Sequence, residues 1–201
     1  MVHTVAVRRP SVLLLPVLAG LLLTAACSDD GRELAPIRPG QTTTSEPAPT
    51  VTAATFSLTS EAFLDALEIP DRYTCFGEGI SPDLRWAGAP SGTELALVVR
   101  DRDANGYVHW IVTGIDPTID GFGEGAVPEG AVEQVNMTGA IGYLAPCPPA
   151  GFGRHIYDVT LHVLAEPVVV DPESPATDVA AQIEAASVSR AALSGTVDPD
   201  T

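Results

Sequence analysis

Apolar and polar positions divide this chain into stretches of different kinds. Leu95 to Asp101 and Val108 to Ile115 are nearly continuous apolar runs, the pattern of strands covered on both faces. Ala104-Asn105-Gly106 stands between them, and Asn-Gly is a strong turn signal. Ile156 to Val170 reads as a long strand, with Tyr157, Val159, Leu161 and Val163 alternating with Asp158, Thr160, His162 and Leu164. Thr55 to Thr59 alternates more weakly and predicts a first strand. Residues 116–142 are Gly-rich with little periodicity and predict a loop excursion. Ser174-Pro175 predicts a helix start, with Ser as N-cap and Pro at the first helical position. Val179, Ile183, Ala186 and Ala191-Ala192-Leu193 supply its apolar stripe, broken at 187–189, and Gly195 ends it. Many strands followed by late helix predict a mostly β domain with one or two peripheral C-terminal helices.

The first 54 residues follow other rules. Arg8 and Arg9 precede an apolar run, Val12 to Leu23, that is short for a membrane span. Leu23-Thr24-Ala25-Ala26-Cys27 then resembles a lipobox, which predicts cleavage before Cys27 and lipid attachment to it. An ordinary signal peptide cleaved after Ala26 is the alternative. Residues 27–54 are rich in Ser, Thr, Pro, Asp and Glu and cannot bury enough surface to offset chain entropy. The expected organisation is therefore a leader over 1–26, an acylated Cys27 and tether over 27–54, and a globular domain over 55–198. Such a protein would sit at the extracytoplasmic face of the cell membrane, anchored by its lipid.

Charge narrows the partners. The 201 residues contain no lysine and carry a formal charge of −16. A surface of that sign repels nucleic acid, so none is expected as a partner. An anion would have to be held by local donors rather than by the overall field.

Local donors do cluster. Val98-Val99-Arg100-Asp101-Arg102-Asp103-Ala104-Asn105-Gly106-Tyr107-Val108-His109-Trp110 leaves two carboxylates and an imidazole at one sheet end. A polar hairpin tip is the plain alternative. Gly142-Tyr143-Leu144-Ala145-Pro146-Cys147-Pro148-Pro149-Ala150-Gly151 is a rigid loop that leads to His155-Ile156-Tyr157. Tyr73-Thr74-Cys75-Phe76-Gly77-Glu78-Gly79-Ile80-Ser81-Pro82-Asp83-Leu84-Arg85-Trp86 is a third irregular stretch. Together, and in their chain order of 73–86, 98–110 and 142–157, the three resemble the motifs of the phosphatidylethanolamine-binding protein family, also called Raf-kinase-inhibitor-like proteins, in its bacterial branch. The resemblance covers roughly residues 55 to 197.

The resemblance implies two antiparallel sheets in Greek-key arrangement with a small anion-binding pocket at one end. It implies pocket residues Asp101, Asp103, His109, Pro146, Cys147, Pro148, His155 and Tyr157, with Tyr143 close by. Two imidazoles, a tyrosine hydroxyl and backbone N–H groups suit a phosphate or phosphorylated headgroup. Asp101 either orients a histidine and favours its protonated form, or accepts from a ligand amine. Two satisfied core histidines are the plain reading of His109 and His155. The resemblance also places Cys75 and Cys147 at the same end, where a disulfide is expected once Cys27 is acylated. A free Cys147 thiol lining the pocket is the alternative.

Several positions depart from the family pattern. Arg102 and Asn105 stand where prolines are usual, and Ile156 replaces an arginine. No histidine appears near Ala186, and Val197 replaces a tyrosine. The expected function is binding of a small anionic or phosphorylated ligand without chemistry, no cofactor being needed. Inhibition of a partner hydrolase or kinase through the pocket rim is the alternative. Ser81, His109 and Asp101 form an imaginable nucleophile set, but no nucleophile-elbow motif accompanies them. No metal-ligand spacing such as H-E-x-x-H or C-x-x-C supports a metal site at His109, His155 and Asp101.

Overall fold

The computed structural model describes residues 55–171 and 173–200. The expected leader, Cys27 and the expected tether lie outside the described residues. Nine strands and one α-helix are defined within them.

The two apolar runs are β4 (Glu94–Asp101) and β5 (Tyr107–Ile115), paired antiparallel. Asn105 and Gly106 both adopt positive φ, 56° and 73°, and the Tyr107 N–H closes the turn onto the Ala104 carbonyl. This is the mirror-image turn that matches strand twist, and Asn-Gly is the pair that tolerates it.

Four further strands extend this sheet. Its order is β2 (Leu67–Glu68), β9 (Ser187–Val197), β8 (His155–Leu164), β4, β5, β7 (Val132–Glu133). The chain runs β4, β5, β7 and then returns through β8 to the free side of β4, which is Greek-key connectivity. All its pairings are antiparallel except β2 with β9. A smaller sheet of β1 (Ser57–Thr59), β3 (Leu84–Ala87) and β6 (Gly121–Phe122) packs across it.

Two cores result. Between the sheets, Leu58, Leu84, Trp86 and Phe122 meet Leu95, Leu97, Val99, Trp110, Leu161 and Leu193. On the other face of the large sheet, helix α1 (Ala176–Ala186) lays Val179, Ala180 and Ile183 on Ala96, Val98, Val108 and Ile111. That arrangement explains why β4 and β5 are apolar at consecutive positions, since each strand has a core on both sides.

Five expectations need correction. The helical stripe does not continue past Ala186: residues 187–197 are strand β9, paired with β8 along its length. Ala191, Leu193, Gly195 and Val197 alternate into the core, a period-two pattern that the alanine-rich composition hid. Gly195 does not stop a helix. It is a site of close approach, where an added Cβ would lie 2.4 Å from the Ile69 side chain. β8 ends at Leu164 rather than Val170, just ahead of Pro167, which has no N–H for a ladder. The helix starts at Ala176, with Pro175 in the cap position and no side-chain cap from Ser174. The loop expected over 116–142 is largely irregular but lends β6 to one sheet and β7 to the other.

Candidate functional site

Strand alternation sends Asp101 at the end of β4, and His155 and Tyr157 at the start of β8, toward the same end of the sandwich. His109 on β5 joins them, its ring edge-on to Tyr157 with centroids 5.2 Å apart. The connection 143–154 arches over this end. The result is an open pocket of about 670 Å³ lined by Asp101, Asp103, His109, Cys147, Pro148, His155 and Tyr157 among others.

Asp101 is 3% exposed and organises the floor. Its Oδ1 accepts from the Asp103 and Ala104 N–H groups at 2.9 and 3.0 Å, which shapes the hairpin tip. Its Oδ2 accepts from His155 Nδ1 at 2.7 Å. Of the two roles open to Asp101, the geometry is that of a histidine orienter. Nδ1–H of His155 is engaged, which leaves Nε2 as the nitrogen available to a ligand. Asp103 faces away from such a role: its Oδ2 accepts from the Ile156 N–H at 2.7 Å and fastens the hairpin tip to β8.

His109 is oriented differently. Its Nδ1 lies 2.9 Å from the Leu144 carbonyl, which can only accept, so Nδ1 carries a proton. Burial pushes the His109 pKa below its ordinary value, outweighing the opposing pull of that carbonyl and of Asp101. Near neutral pH the ring is therefore uncharged, with Nε2 as an acceptor. Tyr157 is buried, and its hydroxyl makes no hydrogen bond of good geometry, with the Asp101 carboxylate and the Cys147 backbone near it. Burial, with the Asp101 carboxylate nearby, drives its ionisation well above the usual range, so it remains a neutral donor. A buried hydroxyl without a well-formed hydrogen bond is costly, and a ligand acceptor would satisfy it.

Two expected residues are elsewhere. Tyr143 and Pro146 line the core behind the pocket rather than the pocket itself. The Tyr143 hydroxyl donates to the Tyr73 carbonyl at 2.8 Å, its ring packs against Trp110, and burial pushes its pKa well up. The Pro146 carbonyl accepts from the Cys75 N–H at 3.0 Å. Both residues set the height of the Pro loop. Cys75 and Cys147 are joined in a disulfide that ties the same two loops. Ser81 is not among the pocket residues, and Asp101 bonds His155 rather than His109, so the imagined nucleophile set is not assembled.

Sequence reasoning missed Tyr107, Phe152 and Arg154. Arg154 brings a cation to the rim from the residue before His155, where Ile156 had suggested that the charge was lost. Its Nε is 3.8 Å from Asp198, a loose pair exposed on the arginine side. Phe152 is 77% exposed at the mouth. The signal for both was the loop's own composition: an aromatic residue and an arginine between glycines are unusual in a plain connector.

This geometry can be set beside known proteins. The family model for phosphatidylethanolamine-binding protein matches residues 59–198. LppC of Mycobacterium tuberculosis, named as a candidate lipoprotein, is 38% identical over 188 residues, covering 90% of this chain and 94% of its own. A UPF0098 protein of Mycobacterium bovis is 40% identical over 173 residues, covering 84% of each. Among solved structures, a phosphatidylethanolamine-binding protein homologue of Chlamydia trachomatis superposes with a TM-score of 0.65 at 31% identity, over 74% of this chain and 100% of that one. Escherichia coli YbcL, described as a member of the mammalian family, gives 0.66 at 28% identity, over 71% of this chain and 98% of that one. The chain belongs to the phosphatidylethanolamine-binding protein family.

Proposed function

We propose that this protein binds a small anionic or phosphorylated ligand, of the phosphate or phospholipid-headgroup type, in the pocket floored by Asp101, His109, His155 and Tyr157, without turning it over. The observation that carries the reading is the combination of an oriented His155, held at 2.7 Å by Asp101, with a buried Tyr157 hydroxyl that lacks a well-formed hydrogen bond. The Tyr157 hydroxyl presents a donor toward the same polar floor to which His155 turns its Nε2, and Arg154 adds charge at the rim. Neutral His109 suits a ligand that carries a proton, because its Nε2 accepts from a P–OH group. A phosphomonoester loses its second proton near pH 6, so a mono-protonated ligand of that kind is present around neutrality. The lipobox-like segment, and a relative named as a candidate lipoprotein, support attachment to the membrane through Cys27 with the domain on the extracytoplasmic face.

Binding to His109 requires one proton, on the ring or on the ligand. Burial has lowered the ring's pKa, and a bound anion restores it, so binding takes up a proton and strengthens as pH falls. The test is thermal unfolding with inorganic phosphate and with phosphoethanolamine at pH 8 and pH 6. The larger protection is expected at pH 6. His155→Ala should remove it. Tyr157→Phe should leave the free protein folded, because only a poorly satisfied hydroxyl is removed, and still weaken protection. Wild-type protection in His155→Ala would place the ligand elsewhere. Docking of a partner protein on the pocket rim is a second reading, favoured by the exposure of Phe152. It predicts that Phe152→Ala leaves phosphate protection intact.

A further inference from the structure

Beside α1, the part of its sheet face that the helix leaves uncovered carries a second convergence of charge. Cross-strand pairing aligns Arg100 with Asp158, Val98 with Thr160, and His162 with Arg190. These residues, with Arg102 and with Glu184 of α1, line a groove of about 290 Å³. Between residues 55 and 200 there are six arginines and no lysine, and three of the six are in this groove. In an acidic chain that concentration gives the groove a sign of its own.

The carboxylates in the groove are already matched. Asp158 is gripped by two N–H groups of Arg102, from Nε and Nη2. Glu184 takes Nη2 of Arg100 at 2.8 Å. Two cationic donors are left over. The Arg100 Nε–H is buried and meets no acceptor. Arg190 is exposed and pairs with no carboxylate among the described residues. His162 is 2% exposed beside them, its Nδ1 3.1 Å from Ser187 Oγ. Its pKa is pushed down to about 4, first by burial and then by Arg190 and Arg100, as expected where positive potential collects.

We propose that this groove is a second binding site, for a small oxyanion held by Arg190 and the free Nε–H of Arg100, with the Thr160 hydroxyl as a further donor. Guanidinium groups offer paired N–H donors that match phosphate, sulfate and carboxylate alike. Val98 and Ala192 keep the floor low between the strands. The site is separate from the pocket of the proposed function. Arg100 and Asp101 are neighbours on β4, so their side chains leave opposite faces of the sheet.

Amide NMR of the whole domain during titration with sodium phosphate, and separately with sodium acetate, tests this. Sodium chloride at equal ionic strength is the control. Saturable shifts are expected at Thr160, Arg190 and Ala192, and the stronger anion tells whether a tetrahedral ion or a carboxylate fits better. Arg190→Gln changes an exposed side chain and should retain the native spectrum. It should weaken the groove response by about tenfold or more and leave the shifts around His109 and Tyr157 in place. His155→Ala should do the reverse, so failure of one site is distinguishable from failure of the other. Equal shifts with chloride, shifts confined to the pocket, or an unchanged groove response in Arg190→Gln would each overturn the proposal.

Discussion

Removing the Cys75–Cys147 bridge isolates one term in the stability of the domain. The bridge closes a loop with a sequence separation of 72 residues. In the chain-entropy model, freeing an unfolded loop of that size costs the folded state about 4 kcal/mol. For a domain of this length, each kcal/mol moves the midpoint by about 2–4 °C, so Cys75→Ala/Cys147→Ala should melt about 8–16 °C lower. The native pocket should hardly change. The same loops are also tied by Cys75 N–H to the Pro146 carbonyl at 3.0 Å, Tyr143 hydroxyl to the Tyr73 carbonyl at 2.8 Å, and Leu144 N–H to the His109 carbonyl at 2.9 Å. The cost should therefore sit in the unfolded ensemble, and the urea m-value should rise as that ensemble expands. Calorimetry and urea titration of the double variant, with phosphate protection measured alongside, provide the readout. A midpoint change under about 3 °C, worth roughly 1 kcal/mol, would contradict the entropic account. Lost phosphate protection in a domain that still folds would show that the bridge shapes the pocket directly.

Two other outcomes follow from single residues. His162 has a folded pKa of about 4 against an ordinary 6.5, so the unfolded chain takes up its proton first; stability is fully present above pH 6.5 and is lost as pH falls toward 4, by at most about 3 kcal/mol. His162→Gln should flatten the denaturation profile in that window, and an unchanged profile would assign the acid sensitivity to other groups. Cys27→Ser should release the protein into the medium or leave an unprocessed precursor; a mutant that fractionates with membrane at mature size would show that Cys27 is not the anchor.

The sequence by itself determined the strands with the strongest local signals. β4 and β5 were legible because each is apolar on both faces, and Asn105-Gly106 fixed the turn between them through backbone conformations that few other pairs adopt. The first half of β8 was legible from strict alternation. The motif residues Asp101, His109, His155 and Tyr157 were legible as candidates through their family resemblance, and the structure brings those four to one floor. Tertiary structure decided the rest. Residues 187–197 became a strand because β8 offers a free edge along its length; alanine-rich propensity is worth less than that ladder and its buried face. Which histidine Asp101 would hold depended on the register of β4 against β8, which sets Asp101 opposite Tyr157 with His155 two residues away. Tyr143 and Pro146 moved behind the pocket because their partners, the Tyr73 carbonyl and the Cys75 N–H, lie in the 73–86 loop, while Leu144, Ala145, Cys147 and Pro148 line the cavity. The arginine groove had no linear signature at all. Arg100, Arg102 and Arg190 are brought together only when β9 pairs with β8 and β8 with β4, and strand pairing of that range is a property of the assembled sheet.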